Sequence, residues 1–263
     1  MMVAAAALVQ GRRNQLPYVA SLVAILVAII IASVKWQPGE RFTAWISYLA
    51  LLLMFMAIAG RGITGLWSGL LVDKFNRMSL ARFQLTLWTV LILGTILAIA
   101  LGNILGGSEH PLNIKIPEQI WLVLGISTTS LVGSPLLQAP KAEQAPNISQ
   151  LEMLANQVPN APTLPDYNGL LIAKSTPSDA SWTDLFTGDE IGNFSYLDLA
   201  KVQMFFFTLV LVAAYAVAIG HLLYGHSQLT SLPEFDSSMT ALLAISHAGY
   251  LTSKAIPHSV SPK

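Results

Sequence analysis

The sequence lacks cysteine altogether and has few charged side chains. Among its 263 residues there is no cysteine, which excludes disulfides, thiolate chemistry and cysteine-ligated metal sites. Charged residues make up 11%, whereas soluble domains carry about 25%. The formal net charge is zero, so the composition predicts no nucleic-acid partner. With 54% hydrophobic residues and a mean hydropathy of +0.59, this is the composition of an integral membrane protein.

Long apolar runs predict an all-α, polytopic transmembrane helical bundle of about six spans. A span needs roughly 20 apolar residues to cross a hydrocarbon core of about 30 Å. The candidate spans are residues 18–36, 42–60, 80–105, 118–138, 199–224 and 238–255. The fourth and sixth are short and rich in Ser, Thr, Gly and Ala. For these two, a full span, a re-entrant hairpin and an interfacial position all stay open.

The distribution of Lys and Arg predicts which way the bundle faces. With six spans and both chain ends in the cytoplasm, only Lys35, Arg41 and Lys115 of the 14 bases fall on the outer side. Cytoplasmic loops carry an excess of Lys and Arg, so this asymmetry favours the arrangement. It also places loop 139–184, which is rich in Pro and Asn, in the cytoplasm. We expect this loop to pack on the membrane domain or on a neighbour, with two or three helical turns in 148–158.

An internal repeat organises most of the chain. Segment 66–84 reads LWSGLLVDKFNRMSLARFQ and 185–203 reads LFTGDEIGNFSYLDLAKVQ, an offset of 119 residues that continues without a gap. Because the offset contains two crossings, both copies share one orientation and form a parallel repeat. The predicted divisions are an N-terminal two-span segment 1–65, a first repeat 66–138, the loop 139–184, a second repeat 185–257 and a tail 258–263.

Each repeat contains a recognisable helix start. Ser79 and Asp198 directly precede a span, where a side-chain oxygen can cap the first free amide groups. Arg82 and Lys201 follow within the first turn, and we expect them to extend to the inner headgroups while their stems stay apolar. The upstream segments 66–69 and 185–188 are predicted to be short interfacial helices ended by glycine.

Polar residues within the spans form the candidate site. An amide or imidazole at membrane depth needs a partner in protein or trapped water, and a hydroxyl either bonds back to its own helix or faces a polar interior. The candidate polar interior or packing residues are Gln84, Gln203, Ser127, Thr128, Ser130, Ser246 and His247. Small residues recur at every fourth position and predict close helix contacts. They are Gly125, Thr129, Gly133, Ala244, Ala248 and Thr252.

His247 stands out because ionisable side chains inside a membrane are rare and often functional. The imidazole can bond a facing serine or carbonyl, relay protons, ligate a metal or bind a chlorin magnesium, so a lipid or pigment at this position stays open. Elsewhere the sequence has no Gly-rich phosphate loop, no His-Glu-x-x-His and no acid pair at helical spacing within a span. We therefore predict no enzymatic activity, no catalytic residues and no metal site.

Four longer strings carry a resemblance to other membrane proteins. They read NRMSLARFQLTLWTVLIL, LGISTTSLVGSPL, LFTGDEIGNFSYLDLAKVQMFFFT and LLAISHAGYLTSKAIP. In motif order and spacing, the chain over 66–257 resembles a family of uncharacterised bacterial integral membrane proteins that includes cyanobacterial members. The resemblance implies a bacterial plasma membrane or a cyanobacterial thylakoid membrane. It implies no activity and supplies no catalytic residues.

Two functions compete on these observations. In the first, the chain is a structural or accessory protein, a homo-oligomer or a subunit of a larger membrane complex, whose small-residue faces pack against other helices. In the second, it is a passive channel whose duplicated helix pair surrounds a polar interior. A channel requires a hydrated gap between the polar faces, whereas a scaffold buries them in direct contact. Small-residue faces need no transport function to explain them, so the sequence favours the structural role.

Overall fold

A computed structural model describes residues 16–35, 40–157, 166–224 and 229–259, with the backbone alone at 153–157. The protein is mostly helical, at 70% helix. The described part contains seven α-helices: α1 Leu16–Lys35, α2 Arg41–Thr64, α3 Leu80–Leu105, α4 Glu118–Ala142, α5 Ile148–Gln157, α6 Leu199–Tyr224 and α7 Ser237–Ala255. It also has an antiparallel hairpin, β1 Tyr167–Asn168 with β2 Leu171–Ile172, and short 3-10 helices at Gly69–Leu71, Pro177–Asp179 and Trp182–Leu185.

Five of the described helices, α1, α2, α3, α4 and α6, are long and apolar enough to cross a membrane. They contain 20 to 26 residues, or about 30–39 Å at 1.5 Å per residue, which matches a hydrocarbon core of about 30 Å. The prediction of an all-α membrane protein is confirmed at this level. Both α4 and α7 are continuous helices, so neither forms a re-entrant hairpin. Helix α7, with 19 residues, is not among the five, and its crossing of the membrane stays a prediction.

Helix α3 lies at the centre of the bundle. It contacts α2, α4 and α6, while α4 and α6 both contact α7, and α1 packs along α2 at the edge. In its most apolar stretch, 56% of α3 is buried, against 11% for α1. Trp88 of α3 is fully buried and meets Phe235 edge-on, with ring centroids 6.0 Å apart. Helix α1 therefore leaves most of its apolar surface to lipid or to another chain.

The connections gather at two ends of the bundle. At one end, the Lys115 amide in the α3–α4 loop donates to the Thr230 carbonyl in the α6–α7 loop at 2.7 Å. At the other end, the Lys174 amide of the long α4–α6 connection donates to the Phe75 carbonyl of the α2–α3 loop at 2.9 Å. The segment after α7 joins them there, because Ser259 Oγ accepts from the amide of residue 192 at 3.0 Å. All the described loops predicted to be cytoplasmic thus share this second end, which we call the loop end.

The Pro- and Asn-rich connection packs onto the loop end, as predicted. Helix α5 confirms the expected helical turns in 148–158. Strand β2 is buried, and the Leu170 amide just before it donates to the Lys141 carbonyl at 2.9 Å. Gly169 turns the hairpin with a φ of 62°, and a Cβ there would clash with the Ala142 carbonyl, so the turn requires glycine. The connection is therefore tethered by backbone contacts as well as by its buried side chains.

Both predicted N-caps are confirmed. Ser79 precedes α3, and its Oγ accepts from the Arg82 amide at 3.5 Å. Asp198 precedes α6, and its Oδ1 accepts from the Ala200 and Lys201 amides at 3.0 and 3.3 Å. Each side chain satisfies an amide that has no partner within the first helical turn. This local chemistry depends on residue type and position alone, which is why the sequence predicts it.

The segment 66–69 does not form an interfacial helix. A single 3-10 turn, Gly69–Leu71, begins at the glycine that was expected to end the helix. The loop then folds back, since the Ser79 amide donates to the Leu71 carbonyl at 2.8 Å. The prediction was wrong because this backbone closure has no periodic signature in the sequence and leads the chain directly into α3.

The segment 185–188 does not form an interfacial helix either. Its 3-10 turn, Trp182–Leu185, ends where the predicted helix was to begin. The loop closes between the Asp198 amide and the Phe186 carbonyl, 2.7 Å apart. It therefore encloses more residues than its counterpart before α3, so the matching sequences fold into loops of different size.

The N-terminal division contains two separate helices, α1 and α2, as the two-span assignment requires. Residues 1–15 of this division and 260–263 of the tail lie outside the described residues. The cytoplasmic placement of both chain ends therefore stays a prediction.

Candidate functional site

Three serines of α4, at positions 127, 130 and 134, meet α7 in a buried contact. Ser130 Oγ lies 2.6 Å from His247 Nδ1, and Ser134 Oγ lies 3.4 Å from the hydroxyl of Tyr250. Positions 127, 130 and 134 share one face because an α-helix turns every 3.6 residues. The α4–α7 seam, as we call it, consists of Ser127, Ser130, Ser134, Ser246, His247 and Tyr250, all of them buried. The structure thus brings together the serines and the histidine that the sequence singled out.

His247 is held within the seam, beside an open groove that it helps to line. Its side chain is 3% exposed, and Nδ1 faces Ser130. Its second nitrogen, Nε2, is buried and has no hydrogen-bond partner among the described residues. A chlorin magnesium could reach Nε2 only after the covering groups moved aside. Of the roles open to this imidazole, the bond to a facing serine is the one that the geometry supports.

Two further serine hydroxyls of the seam have no partner among the residues that the structure describes. Ser127 Oγ and Ser246 Oγ are buried without a hydrogen bond in the part of the chain that the structure describes. These two residues occupy equivalent positions at the 119-residue offset. A buried hydroxyl without a partner costs roughly 1–3 kcal/mol, which makes each a place where a bound water would be stabilising.

The two glutamines of the repeat lie in different environments. Gln84 is fully buried between α3 and α6, where its Nε2 donates to the Met204 carbonyl at 3.3 Å and also to Thr208 Oγ1. Gln203 lies on an exposed face of α6. Neither amide reaches the α4–α7 seam. The expectation of one shared interior containing both glutamines is therefore wrong, because Gln84 faces α6 inside the bundle whereas Gln203 faces outward.

Thr128 lies outside the seam. It is exposed, and its hydroxyl donates to the Leu124 carbonyl of the preceding turn at 2.8 Å. Thr129 does the same with the Gly125 carbonyl, also at 2.8 Å. Since each residue advances about 100° around the helix, neither threonine can share the face of Ser127 and Ser130. For both threonines, bonding back to the helix is the role observed.

The small residues line an open groove instead of meeting each other. The groove has a volume of about 400 Å³ and lies beside the α4–α7 seam, with Gly125, Thr129, Ala244 and Ala248 among its lining residues. A Cβ added at Gly125 would meet nothing within 4 Å, so no close helix contact occurs at this glycine. The other two members of the pattern are Gly133, which is half-buried against Leu251, and Thr252, which is exposed. Any helix that uses this small-residue face must come from outside the described chain.

A cluster of eight charged side chains lies at the loop end. We call it the loop-end cluster, and it consists of Arg77, Lys141, Lys174, Asp184, Asp189, Glu190, Lys201 and Lys254. Five bases and three acids leave it with a formal excess of positive charge. Sequence reasoning placed these residues at span edges and in loops but did not bring them together.

Asp189 is the centre of this cluster. Its carboxylate lies 2.7 Å from Lys201 Nζ, 2.6 Å from Lys254 Nζ and 3.2 Å from Arg77 Nη1. Burial would raise the pKa of Asp189, but the three cations together hold that pKa well below its ordinary value of 3.8. Lys201 therefore turns inward to an acid, and the prediction that it extends to the headgroups is wrong.

The Lys141–Glu190 pair ties four parts of the chain together. Lys141 Nζ at the end of α4 donates to Glu190 Oε1 at 2.6 Å and to the carbonyls of Lys254 and Ile256 at 2.6 and 2.8 Å. Glu190 Oε2 accepts from the amides of residues 258 and 259 at 2.9 and 2.8 Å. Both side chains are buried, so all of these bonds are shielded from water. The pair fixes the tail and the long connection against the ends of α4 and α7.

Asp184 is the third acid of the cluster and, like Glu190, it is buried. It lies 2.8 Å from Lys174 Nζ and 3.6 Å from Arg77 Nε, and its Oδ2 accepts from the Met78 and Ser181 amides at 3.2 and 2.9 Å. Through it the connection is joined to the α2–α3 loop. One difference between the two copies of the repeat marks the position of the cluster in the sequence. At the positions where the first copy has Leu70–Leu71, the second has an acidic pair, 189–190.

The described residues contain no group of three or more His, Asp or Glu side chains suited to a metal ion. Comparison of the chain with protein-family models, with curated proteins and with solved structures gives no match.

Proposed function

We propose that this chain is a non-enzymatic integral membrane protein with a structural or accessory role in a bacterial plasma membrane or a cyanobacterial thylakoid membrane. The observation that carries the proposal is the direct contact between the polar faces of α4 and α7. Ser130 and His247 lie 2.6 Å apart, and both are buried, which leaves no hydrated gap between the two helices at that point. A scaffold requires this kind of closed contact, whereas a pore within one chain requires separation.

The loop-end cluster supports the same role. Ion pairs and backbone bonds hold the connection, the α2–α3 loop and the tail against the helix ends. A surface ordered in this way suits the docking of a membrane partner, because little additional ordering is needed on binding. The exposed apolar faces of α1 and the small-residue groove are the surfaces through which lipid, a second copy or a larger complex would contact the bundle.

The proposal includes the parallel repeat and the orientation. Counterpart helices touch in both cases, since α3 contacts α6 and α4 contacts α7, which a two-fold axis between the copies would produce. The loops predicted to be cytoplasmic share the loop end, together with the five bases of the cluster. Reporter tags inserted after Glu143, which follows the end of α4, and at the C-terminus should both remain in the cytoplasm. A tag that emerges on the other side would contradict the six-span topology.

A passive channel is the second candidate, and one observation favours it. The hydroxyls of Ser127 and Ser246 are buried without a partner in the described residues, as they would be if water occupied the seam. In a channel, these serines and His247 would face a continuous row of such waters across the membrane.

Flux measurements on the purified full chain in liposomes separate the two functions. The structural role predicts no ion flux above that of empty vesicles for the wild type, for Ser246→Leu or for His247→Leu. Mass measurement of the intact complex from native membranes should then give an assembly larger than one chain. Wild-type flux that disappears in both leucine variants would overturn the structural proposal in favour of the channel.

A further inference from the structure

A forked groove lies on the face of the bundle formed by α2, α3 and α4, next to the loop end. One limb, of about 360 Å³, lies between α3 and α4, and the other, of about 700 Å³, lies between α2 and α3. The two limbs have six lining residues in common, and we call this shared part the mouth. Its residues are Leu70, Asp73, Lys74, Arg82, Leu85 and Thr86.

The mouth of this groove is cationic. Lys74 and Arg82 are both exposed there, and Asp73 is the acid beside them. The Asp73 carboxylate is turned toward its own loop, where Oδ1 accepts from the amides of residues 75 and 77 at 2.8 and 3.1 Å. Ser79, the N-cap of α3, lines the adjoining α3–α4 limb, so the positive end of that helix dipole lies beside the two cations. The combination attracts a negatively charged group.

Lys74 and Arg82 differ from the other bases at the loop end. The bases of the loop-end cluster have acidic partners, and Arg61 stacks over the Trp67 ring at 4.5 Å. Arg82 donates to the Leu70 carbonyl at 3.4 Å, and Lys74 lies over the Phe75 ring at 4.8 Å. Within the described ranges neither of these two cations forms an ion pair with an acid. Their charges are therefore directed at the groove without an internal counter-ion.

Below the mouth, the walls of both limbs are mainly apolar. The α2–α3 limb is bounded by Phe55, Met56, Ala59 and Ile63. The α3–α4 limb is bounded on α4 by Leu131 and Pro135, with Ser134 and Gln138 as the polar residues of that wall. From residue 82 to residue 89 of α3, the wider limb extends about 10 Å along the helix axis at 1.5 Å per residue. One cationic mouth joined to two separate, mainly apolar limbs matches the polarity of a headgroup with two acyl chains.

We propose that the forked groove binds a two-chain anionic phospholipid. Its phosphate pairs with Lys74 and Arg82, and one acyl chain enters each limb. Anionic headgroups bind basic pockets between transmembrane helices on the cytoplasmic side, and the loop end carries the bases that favour that side. The inference requires the helices to lie in a bilayer, but it is independent of whether the chain is a scaffold or a channel.

The test uses the purified full chain in detergent, with native mass spectrometry as the readout. Phosphatidylglycerol and phosphatidylcholine of the same acyl length are added separately, and the retained lipid is counted. We expect one phosphatidylglycerol to be retained in preference to phosphatidylcholine. Since each base near an anionic lipid contributes about a factor of five, Lys74→Gln/Arg82→Gln should weaken phosphatidylglycerol binding about 30-fold.

Two control variants make the result specific. Arg61→Gln removes one positive charge at the same end but outside the groove, so it should retain the wild-type preference. Ala59→Phe fills the α2–α3 limb and should reduce the retention of both lipids equally. Unchanged circular dichroism would show that each variant is folded. Three results would each overturn the proposal. The wild type could retain the two lipids equally, or the double variant could bind phosphatidylglycerol as well as the wild type does. The third is a dimer without bound lipid, in which a second copy of the chain would occupy the groove.

Discussion

Replacing Glu190 with glutamine should destabilise the protein by about 3 kcal/mol. Glu190 is 2% exposed and accepts from Lys141 Nζ at 2.6 Å and from the amides of residues 258 and 259 at 2.9 and 2.8 Å. Breaking a buried ion pair by removing one partner costs roughly 3–5 kcal/mol, because the other charge remains buried. The lower end of this range applies here, since a glutamine oxygen can still accept one of the two amides.

The measurement is the free energy of unfolding of the purified chain in mixed detergent, followed by tryptophan fluorescence. Glu152→Gln is the matched control, because Glu152 is exposed, and it should change the free energy of unfolding by less than about 0.5 kcal/mol. The double variant Lys141→Met/Glu190→Gln removes the lysine as well, so it leaves no buried charge without a partner, unlike Glu190→Gln alone. The double variant should therefore be less destabilised than the sum of the two single variants, by roughly 1–3 kcal/mol.

Two results would refute this reasoning. One is a Glu190→Gln variant as stable as Glu152→Gln, which would mean that the pair contributes nothing beyond its desolvation cost. The other is strict additivity of Lys141→Met and Glu190→Gln, which would mean that the two side chains do not interact energetically despite their short separation of 2.6 Å.

Three further predictions follow from single positions. The folded-state pKa of Asp189 is depressed below 3.8, so this carboxylate stabilises the protein above about pH 4 and loses that contribution as the pH falls further. In acid-unfolding curves, Asp189→Asn should therefore not show the part of the fall in stability that comes from protonation of this carboxylate. Ser79→Ala should lower the free energy of unfolding by about 0.5–1 kcal/mol through loss of the α3 cap, and no change would contradict that role. Gly69→Ala should cost about 1–3 kcal/mol, because a Cβ there would collide with Thr64 Oγ1. Gly125→Ala, which has open space around it in the interior of α4, should instead stabilise the protein by up to about 1 kcal/mol. Equal effects of the two substitutions on the free energy of unfolding would exclude the packing explanation.

Local sequence patterns were sufficient for the helices and their starts. The apolar runs predict α2, α3, α4 and α6 because a helix that crosses lipid needs a continuous apolar length, which is a property of the sequence itself. The caps at Ser79 and Asp198 follow for a similar reason, since a cap involves only the residues of one helical turn. The helical turns of α5 were also predicted from their own segment.

The candidate site was predictable only in part. The spacing of serines on α4 predicts one polar face, and that face is buried against His247 of α7. The same pattern could not decide that Thr128 lies outside the contact and that Gln203 is exposed. Both decisions depend on which side of each helix meets a neighbour, and helical periodicity leaves that choice to the packing of the whole bundle.

By itself, the sequence determined that the chain is helical, apolar enough for a membrane, capped at its helix starts and without disulfides. Only the tertiary structure decided that Asp189 and Glu190 gather lysines from α4, α6 and α7, that Lys201 turns inward, and that the small residues face outward. The physical reason is the sequence separation over which each interaction acts. Helix capping depends on residues within one turn, and apolar length depends on one continuous segment. The partners of a buried charge, by contrast, come from helices that are distant in sequence, and they meet only when the bundle closes.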